Sequence, residues 1–442
     1  MSHTPDAITR LFRACDPSVP LQPTDARYVN CDDVRGENLI QIYERSLRRA
    51  DPARPEVKLF AGHRGVGKSS ELNRLKAVLE SEEAAVPFKV LYMDATDKLD
   101  MNDLDLPDLL TLIAAQVLEQ LRAAGIPGFD VVTTYMRRVW DDIKGALSSE
   151  VALKEAEVAT GFGSLTVELK NRPNSRQKLR QAIEAHSTSL LGAVNDLLQA
   201  ANVALRQNGC QGLVLIVDGL ERLVLRPIPE SGTNTHERLF IDRSEQLASL
   251  HAHTIYTVPI SLFYSPRCAS LEQTFGEHNI PVPMIRLHER DTVEVAPDSP
   301  GMRKMWDMID ARCRFAGVDA NDTFDDRATA EYLCQMTGGH PRHLMMFLQA
   351  AMSAVERLPI TRAAAEKAVR NYANSLLREI PDDFWPKLRA FRTPQQDMPK
   401  DDAHQAMLNL LHVFEYMNRA PWYEVNPVIR TLDRFSRGSE PA

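Results

Sequence analysis

The stretch that decides the fold is "LFAGHRGVGKSSELNRL", Leu59 to Leu75. Within it, Gly62-His63-Arg64-Gly65-Val66-Gly67-Lys68-Ser69 fits G-x-x-x-x-G-K-[ST] at every fixed position. With average residue usage, such a match turns up in about one or two of a hundred chains of this length, so the flanks must decide. Val57–Ala61 reads as a buried strand entering the loop, and Ser70–Leu79 has helical spacing leaving it. A phosphate needs this order. Glycines let successive backbone N–H groups turn inward, and the helix N-terminus adds positive potential. Lys68 would reach the terminal phosphates and the Ser69 hydroxyl would ligate Mg²⁺. The eight motif residues and Ser70 are the candidate phosphate-binding set.

A site of this kind needs a carboxylate on a second strand. Gly212–Asp218, an apolar run ending in aspartate, supplies it. Asp218 would hold the Mg²⁺. Glu221, three residues on, is the candidate for polarising an attacking water; a surface acid beside Arg222 is the other reading. Lys68, Asp218 and Glu221 thus make the candidate catalytic set, with Ser69 and Asp218 on the metal. His253–Ile260 reads as a third strand, where Thr257 would sense the γ-phosphate or simply suit a strand. The guanine-reading motif N-K-x-D has no match. Its nearest approach, Asn102-Asp103-Leu104-Asp105, lacks the lysine and precedes the Asp218 strand. ATP with Mg²⁺ is therefore the expected cofactor pair.

The 442 residues exceed one ordinary core. A net charge of -8 gives no bulk attraction to nucleic acid or anionic lipid, so nucleic acid is not favoured as a partner, although a local basic patch stays open. No apolar run is long enough for a bilayer, so no membrane partner is expected. The first residues lack a signal peptide's order. The six cysteines are scattered without a C-x-x-C pair, as in a reduced cytoplasmic protein.

The expected fold is α/β: a parallel-sheet P-loop NTPase core, an all-helical lid and a small winged-helix domain. Residues 1–55 read as a helical and extended segment, with helices at Ala7–Ala14 and near Glu37–Arg49. Tyr28-Val29-Asn30 there would cap an adenine or serve as plain linker. Residues 56–290 alternate strands and helices, including Val90–Asp94, Leu109–Ala123 and Gln177–Gln207. An insertion at about 125–174 includes a candidate hairpin at "TGFGSLTVEL". Residues 291–380 read as four helices, Met302–Phe315, Asp325–Met336, His343–Glu356 and Arg362–Ile380. Gly338-Gly339-His340-Pro341-Arg342 joins the second to the third. Arg342 in a first helical turn opposes the helix dipole, a cost that an anion nearby would offset. Residues 381–442 read as a helix (Ala403–Val413), a hairpin (Phe414–Met417 and Pro421–Glu424) and a short helix (Asn426–Leu432). Their eight Lys/Arg against nine Asp/Glu suit a duplex poorly, and Trp422 and Tyr423 read as packing residues.

On "GHRGVGKSS", "LVLIVDGLER", "TIYTVPISL" and "GGHPRHL" followed by the winged helix, the chain resembles the STAND and initiator-type branches of the AAA+ superfamily over residues 56–440. The resemblance implies that Gly339, Pro341 and Arg342 contact nucleotide from the lid. It implies an ATP-dependent switch that controls homo-oligomer assembly or a partner effector protein, in bacterial defence or signalling. A DNA-associated ATPase of initiator or transposition-regulator type is the alternative. No glutamate directly follows Asp218, so hydrolysis is expected to be slow. Arg267, just after the third strand, is a candidate arginine finger.

Overall fold

Four strands, β1 (Val57–Gly62), β2 (Lys89–Asp94), β3 (Leu213–Asp218) and β4 (His253–Pro259), form one all-parallel sheet in the order β1-β4-β3-β2. The chain is therefore α/β, seen in a computed structural model. It describes residues 6–125 and 187–436, except 84–85, 230, 277–278, 280 and 293. It also describes isolated helical positions from Arg137 to Glu184. Every residue of β1, β3 and β4 is buried, as a parallel sheet covered on both faces requires. A further parallel bridge joins Gly62, the last residue of β1, to Val282.

The period of two sorts the strands' side chains onto two faces. Leu59, Ala61, Leu91, Met93, Leu215 and Val217 pack with the helices Leu106–Ala123 and Ser187–Gln207. Phe60, Val90, Val214, Ile216 and Ile255 pack with the helices Leu39–Arg49 and Lys68–Glu80. Each such side chain larger than alanine contributes about 1.5–3 kcal/mol when fully buried.

Helix starts differ from the spacing-based expectations where a polar cap, invisible to apolar periodicity, sets the first turn. The helix expected from Leu109 begins at Leu106, because Asp105 and Asp108 form a reciprocal capping box. The first lid helix runs Pro300–Ala316, started by the Ser299 hydroxyl accepting from the Met302 N–H and closed by Gly317 at φ +67°. The others are Arg327–Met336, Pro341–Met352 and Arg362–Glu379. Most of the candidate hairpin at "TGFGSLTVEL" lies outside the described residues. Thr166 and Val167, which are described, are helical and not strand. The helix expected from Gln177 is described from Ser187.

At the C-terminal end come helices Phe384–Ala390 and Asp402–Asn409, then an antiparallel hairpin of β5 (Val413–Asn418) and β6 (Ala420–Val425). The helix expected to reach Val413 stops early, since Leu411 takes φ +64° and Val413 opens β5. This hairpin is not a free wing. Phe414, Tyr416 and Trp422 join the core on the phosphate-loop side of the sheet. Trp385, Met407 and Val425 share one hydrophobic cluster with lid residues such as Leu344 and Phe347, and with Leu11 and Ala14 of the N-terminal helix. Lid and C-terminal segment are thus packed on one common core.

Candidate functional site

The loop between β1 and the helix Lys68–Glu80 turns through Gly62, Gly65 and Gly67 at φ +145°, +88° and +106°. A Cβ on Gly65 would lie 2.8 Å from the His340 ring and 2.9 Å from Arg342, so the position needs glycine for approach as well as for backbone angle. Lys68 does not project into solvent. It is 3% exposed. Its Nζ donates to the carbonyls of Gly62 (3.0 Å) and His63 (3.1 Å) and lies 3.4 Å from Glu221 Oε1. Burial works to raise the Glu221 carboxyl's pKa, but Lys68 and a hydrogen bond from Thr257 outweigh it and hold the group below its ordinary value. Glu221 Oε2 is buried with no partner.

Asp218, 2% exposed, faces the start of the same helix. It accepts from the Gly219 N–H (2.8 Å) and the Tyr92 hydroxyl, and the Ser69 hydroxyl lies near enough to work against the rise of its pKa. Burial, then the nearby Glu221 charge, raises its pKa. The structure thus brings Ser69 and Asp218 together. Thr257 is fully buried behind Glu221, where its hydroxyl accepts from the Leu220 N–H (3.1 Å). It does not line the pocket expected to hold a γ-phosphate.

That pocket lies between the loop, the N-terminal segment and the lid. Its walls include Arg64 to Glu71, Glu221, Arg222, Tyr28, Val29, Met308, Pro341, Arg342 and Met345. Ser70 uses its hydroxyl on the N-terminal segment, accepting from the Leu21 N–H (2.9 Å). Asn30, grouped with Tyr28 and Val29 in the sequence reading, instead caps the Asp32 N–H (2.8 Å). Arg64, Arg222 and Arg342 converge on the pocket, and among the described residues none of them makes an ion pair. Burial, then Arg222 and Arg64, lowers the Arg342 pKa. Three cations without ion-pair partners face one another in a pocket whose carboxylates Asp16, Glu71 and Glu221 are already engaged by Ser18, Arg74 and Lys68, an arrangement that suits a polyanion.

Two histidines tie the loop to other elements. The His63 imidazole is fully buried and turned away from the pocket. Its Nε2 accepts from the Glu415 N–H (2.8 Å) in β5, so the proton sits on Nδ1 and is donated to the Leu408 carbonyl (3.1 Å). His340 Nδ1 accepts from the His343 N–H (3.1 Å), which leaves Nε2–H to donate to the Arg64 carbonyl (2.9 Å). Burial pushes His63 down to about 3 and His340 well below the ordinary range, so both are neutral. The turn before His340 docks as closely. Gly338 O accepts from the Tyr416 hydroxyl (2.7 Å), and a Cβ on Gly339 would meet Ile285 O at 1.8 Å. Pro341 and Arg342 line the pocket; Gly339 packs behind it.

Arg267 is engaged by its own chain, with Asp242 at 2.6 Å and Glu237 at 4.0 Å. Tyr92, Arg222, Arg312 and the His340 ring escaped the sequence reading. Only Arg222 had a signal there, as the cation next to Glu221. Among the described residues no three His, Cys, Asp or Glu cluster to hold a metal, and no helix is long and apolar enough to cross a membrane.

Sheet, glycine loop and carboxylate strand define a P-loop α/β protein. No family model and no curated protein matches the chain. Among solved structures it is similar to a Walker-type ATPase of Pyrococcus abyssi: 12% identity, 95% of this chain and 99% of that one, TM-score 0.43. It is also similar to the Drosophila ORC bound to DNA: 11% identity, 98% and 95% covered, TM-score 0.40. A third is the Aeropyrum pernix ORC1 protein in complex with DNA: 12% identity, 97% of each chain, TM-score 0.40. At these values no residue's role passes from one protein to another.

Proposed function

We propose that the chain is an ATP-binding, slowly hydrolysing switch of AAA+ type, whose nucleotide state sets the lid and the C-terminal hairpin and so gates assembly or a partner protein. The residues fit Mg·ATP. The cations of Arg64, Lys68, Arg222 and Arg342 suit a triphosphate. Ser69 and Asp218 suit a magnesium ion that keeps its remaining ligands as water and phosphate. The metal would supply charge neutralisation between phosphates. Glu221, with one carboxylate oxygen uncommitted, is the group able to orient a water, though Lys68 must first leave it.

One observation carries the switch. The His63 carbonyl accepts from Lys68, and the His63 ring holds Leu408 and Glu415. A phosphate that draws Lys68 away disturbs the same residue that anchors the C-terminal hairpin.

The test is calorimetric titration with ATP, followed by hydrogen exchange of the hairpin and the 338–343 turn in an ATP analogue and in ADP. Binding with different protection in the two states is expected, and His63→Leu should remove the hairpin's share of the difference. No ATP binding, or identical protection in wild type, overturns the reading. Retardation of a DNA duplex that requires ATP would make the partner DNA.

A further inference from the structure

The pocket's far end carries a cation that the phosphates do not account for. Arg342 touches the loop at Gly65, and Met345 lies about one 5.4 Å turn further along the same helix. Met345 shares a hydrophobic cluster with Met308 on the helix Pro300–Ala316. Arg312 stands one turn beyond Met308, beside Tyr28 and Val29, and lines the same pocket. It is 8% exposed. Its Nη1 donates to the carbonyls of Arg27 (3.2 Å) and Met308 (3.0 Å), while Nε is buried with no acceptor. Among the described residues no carboxylate pairs with it. Asp25, the carboxylate whose charge acts on it, is taken by Arg27 at 2.7 Å. Burying a guanidinium without an anion and with donor capacity unspent is costly. A guanidinium has donors only, so a compensating ligand must present an acceptor, and the surrounding methionines, Val29 and Tyr28 suit a flat ring.

We propose that Arg312 is a specificity-determining residue that reads the nucleotide's base, donating to a ring-nitrogen acceptor of a purine held between Met308, Met345 and Val29. This rests on the nucleotide reading above and adds which residue recognises the base. Arg312→Met keeps the stem and removes the donors among neighbours that are already methionines.

The experiment is calorimetry with ATP, inorganic tripolyphosphate and the 1-, 3- and 7-deaza analogues of ATP. Arg312→Met should bind ATP about tenfold or more weakly, the scale of one hydrogen bond to a charged group. Its affinity for tripolyphosphate should match wild type within about twofold on the same scale. Wild type should lose a similar factor with one deaza analogue, and Arg312→Met should bind that analogue and ATP alike. The analogue series on wild type decides the matter even if the variant fails to fold. Three analogues bound as well as ATP, or an Arg312→Met that loses ATP and tripolyphosphate equally, overturns the proposal and leaves nucleotide binding standing. Wild type that binds neither ATP nor tripolyphosphate overturns the nucleotide reading itself.

Discussion

Lys68→Met should destabilise the protein before any ligand is added, which is not what a solvent-facing loop lysine would do. The ammonium lies 3.4 Å from Glu221 Oε1, and the two side chains are 2% and 8% exposed. Removing one partner of such a pair strands the other, at a cost of about 3–5 kcal/mol. The carbonyls of Gly62 and His63 lose a donor as well. Glu221→Gln should cost less, since it leaves Lys68 on those two carbonyls. The double variant holds no stranded charge, so its loss should fall short of the sum of the singles by about 2 kcal/mol or more. Urea unfolding read at the tryptophans, for the four proteins of the cycle, measures this. Losses that add within about 0.5 kcal/mol would show that the two groups do not interact.

The same pair predicts a pH signature. Because Glu221's carboxyl is held below its ordinary value in the folded chain, the pair's contribution is full above that ordinary value and lost as pH falls through the folded one. Without Lys68, burial is opposed only by weaker partners and raises the carboxyl instead. The folded variant then prefers the protonated acid, so its deficit should begin to shrink above the ordinary carboxylate value, as pH falls through the variant's raised one, and go on shrinking below it as wild type loses its pair.

Asp218→Asn should keep its ATP affinity in EDTA and lose the gain that Mg²⁺ gives wild type, by calorimetry; an equal Mg²⁺ effect in both proteins would make Asp218 structural. Arg342→Ala should weaken ATP more than ADP, by about tenfold for a charged hydrogen bond to the γ-phosphate, and equal losses for the two nucleotides would remove it from that contact.

Legibility in the sequence followed the length of the signal. The strands ending at Gly62 and Asp218 were visible because parallel strands buried on both faces are continuous apolar runs. The loop was visible because its glycines, lysine and serine stand at fixed spacing within one contiguous stretch; that Gly65 is also crowded by His340 and Arg342 of a distant turn was not. The hairpin at 413–425 was visible, but its destination was not: nothing local in Phe414, Tyr416 and Trp422 says that they pack on the phosphate-loop face of the sheet. For the same reason His63 read as one of the phosphate contacts. Its partners, Leu408 and Glu415, are more than three hundred residues away. Tyr92, which donates to Asp218 from the adjacent strand, depends on β2 and β3 pairing in register, Tyr92 with Ile216 and Asp94 with Asp218. Pairing of that kind is decided by the tertiary fold.

Consecutive loop residues thus point their attachments at different elements. The ring of His63 holds the C-terminal hairpin, while the carbonyl of Arg64 is held by His340 of the lid and its side chain faces the pocket. Gly62 and Gly65 flank the pair at positive φ, where rotation is least costly. The bonds on both sides are 2.8–3.1 Å long, and a shift of about 1 Å would take each outside hydrogen-bonding range. Each buried group left alone would then cost about 1–3 kcal/mol, so intermediate positions of the loop are the least favourable ones. On the proposed function, a ligand that competes for Lys68 would meet two discrete arrangements, loop anchored or loop released, and the hairpin and the lid turn would follow. That discreteness is what a switch needs and what a passive phosphate cradle would lack.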